Sequence, residues 1–145
     1  AAGGIATGSA IHAVMALGAD GVQIGTRFAL TRESSAHDSF KEKCLSLKEG
    51  DTKLLLKQLA PTRLVANTFS NEVQAAELRG ASVEELRELL GRGRAKKGIF
   101  EGDLDQGELE IGQIASLFHR VYDVNEVMNE LVTDFRASVT QIKKW

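Results

Sequence analysis

One cysteine, one proline and three histidines in 145 residues leave little material for several kinds of protein. With Cys44 alone no internal disulfide can form, and a reducing compartment, the cytoplasm, is expected. His12, His37 and His119 are scattered, and neither H-E-x-x-H nor C-x-x-C occurs, so no metal site is expected. A formal charge of −2 gives no pull toward nucleic acid or an anionic membrane. No apolar run approaches the length of a membrane span, and there is no signal-peptide pattern. The familiar phosphate-loop signatures are absent as well: no G-x-G-x-x-G follows the first predicted strand, and no Gly-Lys-Ser/Thr follows a glycine turn. What remains, 43% hydrophobic and 26% charged, is the composition of an ordinary globular domain.

Glycine, by contrast, is plentiful, and it organises the first 28 residues. Ala1–Ile5 reads as a strand that hands over to a helix through Gly3-Gly4, where the absence of side chains lets backbone N–H groups approach a ligand. From Ser9, Ile11, Val14 and Met15 fall on one helical face, and Gly18 stands where a left-handed cap would end the helix. Gly21–Ile24 is a short apolar strand closing on a second glycine turn, Gly25-Thr26-Arg27, with a hydroxyl and a cation beside it. A strand–helix–strand unit of this size implies two parallel strands. Ligands of parallel α/β folds sit at the carboxyl ends of the strands, so the two turns should lie side by side. Backbone N–H groups there could cradle a phosphate. Two tight turns that need glycine only for geometry are the alternative, and spacing alone leaves both open.

The rest of the chain reads mainly as helix. Ala36–Leu47 carries Phe40, Cys44 and Leu47 on one side, which makes Cys44 a buried, inert thiol. Thr52–Leu59 is ambiguous between helix and strand, and Pro61 opens an extended stretch over Thr62–Ala66. Ser70 is expected to cap a helix over Asn71–Arg79 ended by Gly80, and Ser82 with Glu85 forms a capping box for Val83–Leu90. The basic run Arg92–Lys97 has no interleaved aromatics and reads first as a solvated face, with an acidic partner kept as a second reading. Glu101–Glu108 is acidic but lacks calcium-loop spacing, so a turn-rich loop is expected. Gly112-Gln113 opens a helix over Ile114–Phe118; Asp123 and Glu126 cap a last helix with an apolar face from Val124 to Phe135, which should pack on neighbouring elements or on a partner subunit.

The segments AAGGIATG, GADGVQIGTRF and ESSAHDSFKEK resemble the last two βα units of the nitronate monooxygenase family, which includes flavin-dependent enoyl-acyl-carrier-protein reductases. RGASVEELRELLGRGRAKKGIFEGDLDQGELEIGQIASL is similar to the C-terminal region of the reductase branch. The resemblance implies the C-terminal portion of a TIM (β/α)8 barrel holding FMN. Residues 1–48 would be its last two βα units, and 49–145 a strand-like segment and helical region packing on the barrel. Such a barrel takes about 250 residues, so the chain is read as the C-terminal part of a longer enzyme.

On that reading Ala2, Gly3, Gly4 and Ile5 hold one side of the cofactor phosphate, and Gly25 and Thr26 hold the other. Gln23 lines the strand end, and Gln113 lies near the active site. Catalytic residues are expected upstream of this chain, and no histidine here inherits that role. The reductase reading takes hydride from NAD(P)H through FMN to an enoyl thioester of fatty acid synthesis, with a small-molecule or acyl-carrier-protein-linked substrate and a homodimer expected. The alternatives are a nitronate monooxygenase (2-nitropropane dioxygenase) acting with O2, and a non-catalytic α/β domain that binds a phosphorylated ligand.

Overall fold

The computed structural model describes residues 1–142. The chain forms two compact units: residues 1–34 together with the stretch from Arg120 onward, and residues 35–119. The division does not follow chain order, because the last helix returns to the N-terminal βα unit.

In the first unit Ala2 and Gln23 form a parallel bridge, with the Gln23 N–H donating to the Ala1 carbonyl at 2.8 Å. The strands expected over Ala1–Ile5 and Gly21–Ile24 are reduced to this one bridge among the described residues. Between them runs α1 (Gly8–Ala16). The predicted start at Ser9 moves back by one residue, since Thr7 is the N-cap and its hydroxyl accepts the Ala10 N–H at 3.1 Å. Gly18 takes φ +99°, the left-handed conformation foreseen just past the helix end. A single turn, α2 (Thr26–Ala29), follows the second strand segment.

The long C-terminal helix, α6 (Val124–Ile142), packs on α1. Its N-terminus is capped as the sequence suggests, the Glu126 carboxylate accepting the Asp123 N–H at 2.9 Å. Glu33 adds a second carboxylate, accepting the Val124 N–H at 3.0 Å, where the helix dipole favours negative charge. Val127 and Leu131 are buried, whereas Met128 and Val132 on the same expected face remain exposed.

In the second unit α3 (Asp38–Leu45) is capped by His37, whose Nδ1 accepts the Ser39 N–H, and it buries Phe40 and Cys44. The ambiguous stretch resolves as a strand, β1 (Thr52–Leu55), pairing antiparallel with β2 (Thr62–Val65). The pairing decides it: Leu55, Leu56 and Leu64 enter one core with Phe69 and Val73. Helices α4 (Thr68–Leu78) and α5 (Val83–Leu90) complete that core.

The cap of α4 corrects the sequence reading. Asn67, not Ser70, is the N-cap; its side chain accepts the Ser70 N–H at 2.8 Å while the Ser70 hydroxyl accepts the Asn67 N–H at 2.9 Å. Asn67 also donates to the carbonyls of Leu104 and Gly107, so one side chain ties the helix start to the acidic loop. The predicted capping box of α5 forms between Ser82 and Glu85.

Beyond α5 a π-helical turn covers Lys96–Phe100 and a 3-10 turn covers Gln113–Leu117. Residues 109–111 lie along the free edge of β2 through the antiparallel bridge Leu64–Glu110.

Candidate functional site

The parallel bridge brings the carboxyl ends of both strand segments to the same side of the first unit, so Gly3-Gly4 and Gly25 leave the bridge together. Gly3 and Gly4 adopt φ +86° and +69°, backbone that L side chains rarely accept. A Cβ built on Gly3, Gly4 or Gly25 meets nothing within 4 Å, so the space above these backbones is open. The N–H groups of Gly4 and Gly25 donate to no backbone carbonyl among the described residues. Gly25 itself has φ −96°, so its backbone conformation does not demand glycine, and only the approach of something to it would.

Of the other expected residues, those of the first unit adjoin the two turns in the chain. Ala2 and Gln23 are the bridged pair and are exposed; Ile5 is buried, so its part there is through the backbone. Thr26 opens α2 and is half-buried. Gln113 belongs to the second unit, exposed at the start of its 3-10 turn.

The cation of the second turn is not turned to a ligand. Arg27 is 7% exposed and donates to the Ala6 carbonyl at 2.6 Å and to the Glu130 carboxylate on α6. It therefore fixes the first glycine turn, the second and the last helix to one another. A charge-assisted contact of this kind is stronger than a neutral hydrogen bond. The N-terminus of α1 is likewise taken: Asp134 accepts both the Ser9 N–H at 2.8 Å and the Ser9 hydroxyl at 3.2 Å. Neither Asp134 nor Glu130 carries a sequence signal for this role, because their partners lie more than 100 residues away.

The remaining candidates are structural. His12 bonds Ser138 at 3.0 Å and meets the Phe135 ring edge-on. In the basic run, Arg94 stacks on Phe69 and donates to the carbonyls of Leu90 and Gln106, while Lys96 and Lys97 pair with Glu101 and Asp103. Asp103 accepts the N–H groups of Asp105 and Gln106, and these bonds, with Lys97, hold its carboxyl down at about 2. That is a turn, as expected of the acidic loop. Burial pushes the Cys44 thiol up to about 12, which keeps it unreactive. No group of three potential metal ligands occurs among the described residues.

The site thus defines an α/β protein with paired glycine turns at the strand ends. The chain belongs to the nitronate monooxygenase family, whose model matches residues 1–134. It is 33% identical over 133 residues to a "Probable nitronate monooxygenase" of Bacillus subtilis (strain 168), a match that covers 90% of this chain and 38% of that protein. The structure is similar to that of FabK from Thermotoga maritima, with a TM-score of 0.88 and 32% identity over 99% of this chain and 45% of that one. It is similar also to the nitroalkane oxidase of Streptomyces ansochromogenes, with a TM-score of 0.73 and 30% identity over 97% of this chain and 40% of that one. The chain spans less than half the length of each of these three relatives.

Proposed function

We propose that the chain is the cofactor-phosphate part of an FMN-dependent oxidoreductase built on a (β/α)8 barrel. The observation that carries this reading is the Ala2–Gln23 parallel bridge, which sets two glycine turns side by side with open space above them. Ala2, Gly3, Gly4 and Ile5 would hold one side of the phosphate, Gly25 and Thr26 the other, and Gln23 would line the strand end. A dianion suits this place, because the donors are backbone N–H groups and no carboxylate is bonded to them. The cofactor supplies the electron chemistry, and these residues supply its anchorage. Gln113 is proposed to neighbour the reacting centre. An open apolar groove of about 400 Å³ in the first unit, lined by Ile11, Met15, Val22, Ile24, Met128 and Val132, is where further βα elements of the barrel would pack.

The higher structural similarity to FabK favours the reductase branch, in which NAD(P)H reduces an enoyl thioester. The family match and the nitroalkane oxidase support the second reading, oxidation of nitronates with oxygen. A homodimer, an acyl-carrier-protein-linked substrate and a cytoplasmic site belong to the first reading. The test is made on the complete enzyme. Purified protein should carry flavin absorbance, and anaerobic turnover of an enoyl thioester with NADH, set against oxygen uptake with an alkyl nitronate, separates the branches. Colourless protein that takes up no added FMN would refute the cofactor reading altogether.

A further inference from the structure

Arg27 follows Gly25-Thr26 directly and lies in the single turn of α2, so its backbone moves with the second glycine turn. Its guanidinium reaches back to the first. One terminal nitrogen donates at 2.6 Å to the carbonyl of Ala6, which comes immediately after Gly3-Gly4-Ile5. Ala6 is 1% exposed, and no backbone N–H among the described residues is bonded to that carbonyl. A buried carbonyl left without a donor carries a desolvation cost, so the arginine supplies what the backbone does not. The other terminal nitrogen donates to the Glu130 carboxylate on α6, and the Tyr122 ring centre lies 5.7 Å from the guanidinium carbon.

The fork of this side chain matters beyond its charge. A guanidinium is planar and rigid, so its bonds fix the Ala6 carbonyl and Glu130 relative to each other, and both relative to Gly25-Thr26. On the strand side the turns are already joined, the Gln23 N–H donating to the Ala1 carbonyl at 2.8 Å. Arg27 joins them again on the helix side. Backbone N–H donors cannot swing to follow a ligand, and their bonds weaken steeply away from good geometry. The separation of the turns therefore selects what both can hold at once.

We propose that Arg27 is the positioning residue of the phosphate place: its fork, braced by Glu130, sets the separation of the two glycine turns and so the preference for a phosphorylated flavin over the same flavin without its phosphate. The inference rests on the cofactor reading above. Arg27 acts through the turns, its terminal nitrogens being engaged by Ala6 and Glu130.

A purely electrostatic role predicts different results. Glu130→Gln removes a negative charge, and by charge alone it would tighten the binding of a dianion. By position it weakens that binding, because the charge-assisted brace on the fork is lost. Arg27→Lys keeps the positive charge and gives up the planar fork.

Calorimetric titration of the complete enzyme, stripped of flavin, with FMN and separately with riboflavin tests this in wild type and both variants. Wild type is expected to bind FMN more tightly than riboflavin. Arg27→Lys should lose about tenfold to a hundredfold in FMN affinity, the equivalent of one hydrogen bond to a charged group, with riboflavin affinity unchanged. Glu130→Gln should show a smaller loss of the same kind. The Glu130 side chain is 48% exposed, so this variant folds even where Arg27→Lys does not, and it then decides the question alone. An enzyme that binds FMN no more tightly than riboflavin would refute the phosphate reading, and this inference with it. An enzyme that prefers FMN equally in wild type and variants would overturn the positioning role alone. So would tighter FMN binding by Glu130→Gln, or equal losses for FMN and riboflavin, which mark a part of the fold and not of the phosphate place.

Discussion

Replacing Gly8 by alanine should destabilise the first unit, against the helix propensity of the two residues. Gly8 opens α1, and by propensity alone alanine would be better there by up to about 1 kcal/mol. The tertiary structure reverses the sign. A Cβ at Gly8 would lie 2.1 Å from the Phe135 backbone nitrogen, 2.2 Å from the Leu131 carbonyl oxygen and 2.8 Å from the Asp134 carbonyl carbon. All three atoms are backbone of α6, so no rotamer change relieves the clash, and the helices must move apart by roughly 1 Å to reach ordinary contact. Overpacking of this kind costs about 1–3 kcal/mol. Separation also lengthens the two Ser9–Asp134 bonds, one of them at 2.8 Å, and hydrogen bonds to a charged group are worth about 1.5–3 kcal/mol each at full strength. Partial loss of these against the propensity gain leaves a net destabilisation of about 2–3 kcal/mol. Urea unfolding followed by circular dichroism reads this directly, with Gly21→Ala as the control. A Cβ at Gly21 meets nothing within 4 Å, so its change should stay within about 0.5 kcal/mol. A Gly8→Ala protein as stable as wild type, or more so, would refute the close helix crossing.

Three further outcomes are expected. In the complete enzyme Gly25→Val should lower flavin occupancy strongly without unfolding the protein, because φ −96° tolerates a side chain and only a bound group would meet it; Thr26→Ala should be milder, about 1–3 kcal/mol in binding. Wild-type flavin content in Gly25→Val would exclude the glycine turn from the phosphate site. Cys44 should resist maleimide at pH 8 in the native chain and react promptly once unfolded, since burial holds its thiol at about 12; equal rates in both states would show that it is not buried. The Asp103 turn should be indifferent to pH above about 4 and loosen as pH falls through about 2. Its folded carboxyl sits below the unfolded value of 3.8, so the stabilisation is present above that value and lost in acid. An Asp103→Asn protein with an unchanged acid-unfolding profile would contradict this.

Much of the chain could be read without its fold because the governing physics is local. The capping box of Ser82 and Glu85 and the left-handed Gly18 after α1 depend on neighbours within about one or two helical turns. The two glycine turns were legible for the same reason, since strand–helix–strand spacing constrains where they can lie. Three features could be decided only by residues distant in sequence. Thr52–Leu55 becomes a strand because β2 offers its edge and a leucine core, which no single-segment periodicity contains. Asn67 displaces Ser70 as the cap of α4 because its amide also reaches the carbonyls of Leu104 and Gly107, 37 and 40 residues away. Arg27 reads as a cation beside a ligand turn, yet its guanidinium is buried between the Ala6 carbonyl and Glu130. Charge and hydrogen-bonding capacity are written in the residue type, but burial and partner choice are set by what the folded chain places nearby. For that reason the capping box of α5 and the left-handed Gly18 belonged to the sequence, whereas the ties of Arg27 and Asp134 and the close seat of Gly8 belonged to the tertiary structure alone.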